Sequence, residues 1–268
     1  VDTAKQIFYN LVKSNNHFTD PYINLGKLLF SEQKFEESLV LFEKANKINP
    51  SLSITNIYLA QIKQKKGLLK EAEKHFQSNV NLEPLNYMHY NNLGAFYYSD
   101  YQFNKSILQF KKSLQIKNNF TALKALGDIY VHLNEINVSL KYYLDFLKFK
   151  KDPDILYKVG LNYFFIGKKE EGISFLKEAL FYNPTHSKSI LYLSRINELT
   201  EDQCEKIKLY YEKQKNILEK SNLGFALFNY HNHKKNYSIA INYLNEANKL
   251  VYDSIKNKNL FNYELEFN

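Results

Sequence analysis

The sequence predicts an all-α fold, an α-solenoid of about seven stacked helix-turn-helix units, and three observations carry that prediction. A branched or leucine side chain followed by a small residue recurs along the whole chain, at steps of 30 to 34 residues. A second stripe of side chains follows most of these small residues at fixed helical offsets. No stretch alternates apolar and polar residues as a half-buried strand would. Self-similarity at such a period marks units that bury their apolar faces only by stacking on one another.

The elements follow in order. Ala4, Phe8 and Leu11 fall on the stripe of a second helix, so the first unit is expected to be truncated, its first helix lying before Val1. A start without an initiator Met fits a processed or excised segment. The small residues are then Gly26, Ala60, Gly94, Gly127, Gly160, Ser194 and Gly224, with steps of 34, 34, 33, 33, 34 and 30. At +12, +16 and +19 come Ser38, Phe42 and Ala45; Ala72, Phe76 and Asn79; Ser106, Phe110 and Ser113. The next two units give Ser139, Tyr143 and Phe146, then Gly172, Leu176 and Ala179. Offsets of three and four place each set on one face of a second helix. The small residue lets two helices cross closely, and the aromatic fills the groove between them. Pro50, Pro84 and Pro184 close three units, since proline cannot continue a helix.

Beyond Ser194 the pattern breaks, with Lys206, Tyr210 and Lys213 at the expected stripe positions. Leu199-Thr200-Glu201-Asp202 still reads as a turn and N-cap with acids in a first helical turn. A last unit from about Ile217 regains a stripe as Ala240, Leu244 and Ala247. Four additional residues around His231-Asn232-His233-Lys234 are expected to lengthen its inter-helix turn. The count is near 15 helices. Residues 1–198 form the regular array, and 199–268 are expected to be irregular last repeats and a C-terminal linker continuous with the same solenoid.

This pattern resembles the tetratricopeptide repeat family. The unit from Thr19 to about Leu52 carries it most fully, with Tyr22, Leu25, Gly26, Leu29, Ser38, Phe42, Ala45 and Pro50 in place. The unit from Tyr87 follows, with Tyr90, Leu93, Gly94, Tyr97, Ser106 and Phe110. Asn118 and Lys151 stand where a closing proline would be expected. The resemblance implies a right-handed superhelix whose concave face is lined by the first helix of each pair and holds an extended peptide or a partner helix. The flanking inner positions are Asn24 and Lys27, Tyr58 and Gln61, Asn91 and Asn92, Lys124 and Asp128, Tyr157 and Lys158, and Tyr192 and Arg195. Amides and tyrosines there suit hydrogen bonding to a peptide backbone, and the lysines favour an acidic segment. The carboxylate clamp of chaperone-docking members is not reproduced: Ile23 and Ile57 stand where lysine is wanted, Lys27 and Gln61 where asparagine is.

The C-terminal quarter carries a second resemblance. Thr200-Glu201-Asp202, Leu223-Gly224-Phe225-Ala226-Leu227 and Tyr243-Leu244-Asn245-Glu246-Ala247 look like the last repeat of bacterial proteins in which a tetratricopeptide array precedes a sulfotransferase domain. That implies an alternative, the substrate-recognition arm of a larger transferase whose catalytic domain would follow Asn268.

Within the chain itself no catalytic constellation is found. There is no G-x-x-x-x-G-K-[ST] loop and no G-x-G-x-x-G. Cys204 lacks a histidine at a motif spacing, His231-x-His233 has no supporting carboxylate or thiol and reads as an exposed turn, and the pairs Glu36-Glu37 and Glu170-Glu171 favour the positive ends of second helices. No cofactor and no metal are expected.

Composition narrows the rest. Hydrophobic residues make up 44% of the 268, and aromatics 16%, too many for disorder. The single Cys204 excludes an internal disulfide framework. No run approaches the length of a membrane span. The net charge of +8 invites a nucleic-acid partner, but Arg195 is the only arginine and the lysines are interleaved with 28 acids. The expected reading is a non-catalytic, cytoplasmic protein-protein interaction scaffold that binds a protein or peptide, with self-association as a further possibility through Phe8 and Leu11.

Overall fold

The computed structural model describes residues 2–14 and 17–257, and among these it holds fifteen α-helices and no strand. They are α1 (Asp2–Lys13), α2 (Thr19–Ser31), α3 (Phe35–Ile48), α4 (Ser53–Lys65), α5 (Leu69–Leu82), α6 (Tyr87–Ser99), α7 (Phe103–Ile116) and α8 (Phe120–His132). There follow α9 (Ile136–Phe149), α10 (Pro153–Phe165), α11 (Lys169–Tyr182), α12 (Ser187–Arg195), α13 (Glu201–Lys213), α14 (Ile217–His233) and α15 (Tyr237–Asn257). The chain divides into two compact units, residues 1–129 and 130–268, and the division falls inside α8.

One turn geometry punctuates the pairs. Each even-numbered helix ends on a residue in the left-handed region: Gln33, Gly67, Tyr101, Asn134, Gly167, Asn197 and Lys235. The amide after that residue reaches back five positions to close the helix, as in Lys34 N to Leu29 O at 2.9 Å, Leu68 N to Lys63 O at 2.9 Å and Asn236 N to His231 O at 2.9 Å. These bonds satisfy carbonyls that a helix end otherwise leaves free. In the first five pairs the left-handed residue lies seven positions after the small crossing residue, as in Gly26 to Gln33 and Gly160 to Gly167. After Ser194 it comes at the third position, and after Gly224 at the eleventh. One turn of helix is therefore missing from α12 and one is added to α14. The four additional residues expected to lengthen a turn extend a helix instead, because the chain there has no residue that stops one before Lys235.

In the first unit, α2 pairs with α3, α4 with α5 and α6 with α7. The expected crossing is present. A Cβ on Gly26 would lie 2.9 Å from the Phe42 ring, and one on Gly94 would lie 3.1 Å from the Phe110 ring. Side chains this close leave room for hydrogen only. The +12 serines tie the crossing from the other side: Ser38 Oγ donates to the Gly26 carbonyl at 2.8 Å, and Ser106 Oγ to the Gly94 carbonyl at 2.8 Å. Leu25, Leu29, Phe42, Ala45, Leu59 and Ile62 close one core, and Ala60, Phe76, Leu93, Phe96 and Tyr97 the next.

In the second unit α10 packs on α9 and α11, and the crossing is tighter still. A Cβ on Gly160 would meet the Gly172 carbonyl at 3.0 Å, and one on Gly172 the Phe164 ring at 2.7 Å. Beyond α11 the order changes, and the shortened α12 packs directly on α14. Helix α13 starts on a capping box, Thr200 Oγ1 accepting from Gln203 N while the Gln203 side chain accepts from Thr200 N. It buries Cys204, Ile207 and Tyr211 rather than the registered Lys206, Tyr210 and Lys213. Its face is displaced along the helix, and a Cβ on Gly224 would lie 3.2 Å from the Tyr211 ring and 3.1 Å from Ala247 Cβ.

Candidate interaction surface

Polar side chains with no internal partner recur on the even-numbered helices. On α2, Asn24 and Lys27 are half-buried and make no hydrogen bond or ion pair among the described residues. The same holds of half-buried Gln61 on α4, half-buried Asn92 on α6 and exposed Lys124 on α8. Half-buried Asp128, one turn beyond Lys124, helps burial to raise the Tyr98 phenol above its usual range. In the second unit Arg195, exposed in the last turn of α12, has no acidic partner among the described residues.

Other inner positions are already occupied by packing. Tyr58 stacks on Phe42 with centroids 4.6 Å apart and planes 4° from parallel, and meets Phe30 edge-on at 5.2 Å. Tyr192 lies against Phe164 at 4.8 Å, Tyr157 stands edge-on to His186 at 5.8 Å, and the Lys158 ammonium sits over the Tyr143 ring at 5.7 Å. Asn91 is buried and donates from Nδ2 to Asn119 Oδ1 at 3.0 Å, tying α6 to the start of α8. Asn119 in turn donates to Ser113 Oγ at 3.0 Å and accepts from Ala122 N. This chain of amides is invisible in the sequence, where Asn91 and Asn92 look alike although they face different ways.

Two features lie outside the positions read from the sequence. Phe165, in the last turn of α10, is 73% exposed, beside residues that otherwise pack inward. A cleft of about 270 Å³ opens where the N-termini of α12 and α14 approach α10, and Asp154, His186, Lys188, Asn216, Glu219 and Asn222 line it. Burial opposes ionisation of Asp154, but the Lys188 ammonium at 2.7 Å outweighs it and keeps the carboxyl below its ordinary range. Burial likewise lowers His186, against the pull of Asp154.

Asp154, His186 and Ser189 form a line, with His186 Nε2 3.4 Å from Asp154 Oδ1 and Nδ1 2.8 Å from Ser189 Oγ. Acid, imidazole and hydroxyl in that order invite comparison with a nucleophilic triad. The hydroxyl is fully buried in the first turn of α12, so no substrate carbonyl reaches it, and the line serves to hold the start of α12. Cys204 is equally enclosed, and burial pushes its thiol up to about 11, away from the reactive thiolate. Among the described residues no three His, Cys, Asp or Glu side chains converge as a metal would require, and no helix is long and apolar enough to cross a membrane.

His231 departs from the exposed turn that its spacing predicted. It lies in the added turn of α14 and is buried, its ring parallel to that of Tyr243.

Comparison with known proteins agrees with this architecture. The tetratricopeptide repeat model matches residues 19–52 and 153–186, so the chain carries these repeats in both compact units. Among curated proteins it is similar to the BBSome complex member BBS4 of Bos taurus, at 23% identity over 93% of this chain and 49% of that protein. It is also similar to the anaphase-promoting complex subunit CDC16 of Saccharomyces cerevisiae, at 22% identity over 77% of this chain and 25% of that protein. The chain thus spans between a quarter and a half of the length of these relatives. Among solved structures, PilF of Pseudomonas aeruginosa superposes with a TM-score of 0.60 at 18% identity, covering 75% of this chain and 94% of that one. YrrB, described as a tetratricopeptide repeat protein with an unusual peptide-binding site, gives 0.53 at 19% identity, over 68% of this chain and 95% of that one. These likenesses show a solenoid of stacked helix pairs, a fold consistent with protein-protein interaction.

Proposed function

We propose that this chain is a non-catalytic scaffold that holds an extended, acidic segment of a partner protein on the even-numbered helices of its first unit, α2, α4, α6 and the start of α8. One observation carries the reading: in the first unit Asn24 and Asn92 stand two residues before the small crossing residue, Lys27 and Gln61 one after it and Lys124 three before it, and none of the five spends its hydrogen-bonding capacity inside the protein. Amides bond a peptide backbone whatever its side chains, and the cations select carboxylates. Several lysines elsewhere are spent on neighbouring helices, such as Lys5 with Glu32 at 2.6 Å and Lys66 with Glu36 at 2.8 Å. The name of the YrrB structure, with its peptide-binding site, supports the same use of the fold.

The test is binding of fluorescent acidic peptides, scored against basic peptides in which each Asp and Glu is replaced by Lys. Reversing charge with Lys27→Glu and Lys124→Glu together is expected to weaken acidic-peptide binding by about tenfold or more, and added salt to weaken it further. Equal binding of acidic and basic peptides by both proteins would remove the reading.

A second reading places the chain as the recognition arm of a larger transferase, a sulfotransferase in particular. It is supported by the lone α13 and the lengthened α14–α15 pair, which together contain the segments that carry that resemblance. A coding sequence that continues past Asn268 into a phosphate-binding loop would favour it, and a stop codon there would end it. Of the two residues expected to mediate self-association, Phe8 packs on the first core and Leu11 of α1 stays exposed; self-association through Leu11, and a cytoplasmic setting, belong to the same proposal. Sedimentation of the chain across concentration reads the first.

A further inference from the structure

The added turn of α14 carries a histidine in an unusual position. His231 is 6% exposed, and both ring nitrogens are enclosed with no hydrogen-bonding partner among the described residues. Its ring lies 5.8 Å from that of Tyr243 on α15, 10° from parallel, and edge-on to Tyr230 at 5.4 Å. Buried polar atoms are nearly always paired, and an exception needs a reason. A neutral imidazole with neither nitrogen satisfied is already costly, and a second proton would place a full charge in the same dry pocket.

The charges around the ring do not relieve it. From α13, Glu205 would attract a proton and Lys208 would repel one, but Lys208 already holds Glu205 at 2.6 Å. From α15 the facing group is the Tyr243 phenol, which burial raises, and the nearby Glu246 carboxylate accepts from Tyr211 at 2.6 Å. On α14 itself, Tyr230 lies beneath the Lys234 ammonium at 5.8 Å. Lys188 and Arg195 of α12, the other helix packed on α14, are not among the charges acting on the ring. Burial first, then Lys208, outweigh Glu205 and hold the imidazole below its ordinary 6.5.

We propose that His231 makes the packing of α13, α14 and α15 a pH-operated latch. Neutral, it lets the added turn of α14 close on Tyr243; protonated, it opens that end of the unit. The native state binds fewer protons here than the unfolded chain. The contribution is therefore complete above pH 6.5 and is lost as pH falls through that value toward the folded pKa.

Hydrogen exchange of the whole chain at about pH 7.5 and about pH 5.5, corrected for intrinsic rates, tests it. Amides of 217–233 and 237–257 are expected to open more at the lower pH, by up to about tenfold, the limit set by the one pH unit between 6.5 and 5.5. Those of 35–48 should change less. His231→Phe keeps a flat ring against Tyr243 and is expected to abolish the response, while His75 and His186 remain. Should that variant fail to fold, NMR titration of His231 in the unaltered chain decides, with a midpoint below 6.5 expected. Equal exchange at both pH values, an unchanged response in His231→Phe, or a midpoint at or above 6.5 would each overturn the latch.

Discussion

The α6–α7 pair and the α14–α15 pair both cross at a glycine, yet they close the crossing in different ways. Gly94 meets one aromatic, Phe110, supplied by its own second helix at the repeat's +16 position. Gly224 meets Ala247 from its own second helix and Tyr211 from the helix before it. In the first pair one helix pair is self-sufficient. In the second, the shortened α12 leaves room for α13, and α13 supplies the ring that α15 lacks. What the repeat conserves is therefore the filled space beside the glycine, while the source of the filling is free to move.

That comparison breaks or sharpens under substitution. Phe110→Ala and Tyr211→Ala should both cost several kcal/mol in denaturant unfolding, about 3–5 for the fully buried phenylalanine. A small effect at Tyr211 would mean that Ala247 alone closes the second crossing. Glycine substitutions come next. Gly172→Ala would set a methyl 2.7 Å from the Phe164 ring and 3.0 Å from the Gly160 carbonyl, for a loss of about 1–3 kcal/mol even after the gain in helix propensity. Gly224→Ala meets its neighbours at 3.1 and 3.2 Å, and should fall near neutral. Thr200→Ala removes the capping box that sets where α13 begins, for about 1 kcal/mol and faster amide exchange in its first turn. Gly67→Ala should cost about 1–2 kcal/mol. No atom lies within 4 Å of the new methyl, and the loss comes only from its φ of +76°.

The first unit was largely legible in the sequence because one period governs it. A small residue, a hydroxyl or small residue at +12 and an aromatic at +16 each have one place to go when every pair is built alike. The left-handed turn residues were legible only at Gly67 and Gly167, since Gln33, Tyr101, Asn134, Asn197 and Lys235 adopt the same conformation with side chains that do not advertise it. The step of 30 announced an irregularity without saying that a helical turn had moved from α12 to α14. Among the inner positions, periodicity gave the face of each helix but not what the face meets. Tyr58 and Tyr192 share that face with Lys27 and Arg195, yet the two rings find neighbours to pack on and these two cations do not, while Lys158 lies over the Tyr143 ring. His231 was misread for the same reason: its spacing is visible in the sequence, and its burial depends on Tyr243 twelve residues away.

Site-specific photo-crosslinking to the bound partner tests the central claim most directly. Crosslinkers placed at half-buried Gln61 and Asn92, on α4 and α6, are compared with crosslinkers at exposed Lys44 and Gln77, on α3 and α5. Capture of an acidic peptide from Gln61 and Asn92, and not from Lys44 or Gln77, is the predicted result. Capture from the α3 and α5 positions alone would contradict it.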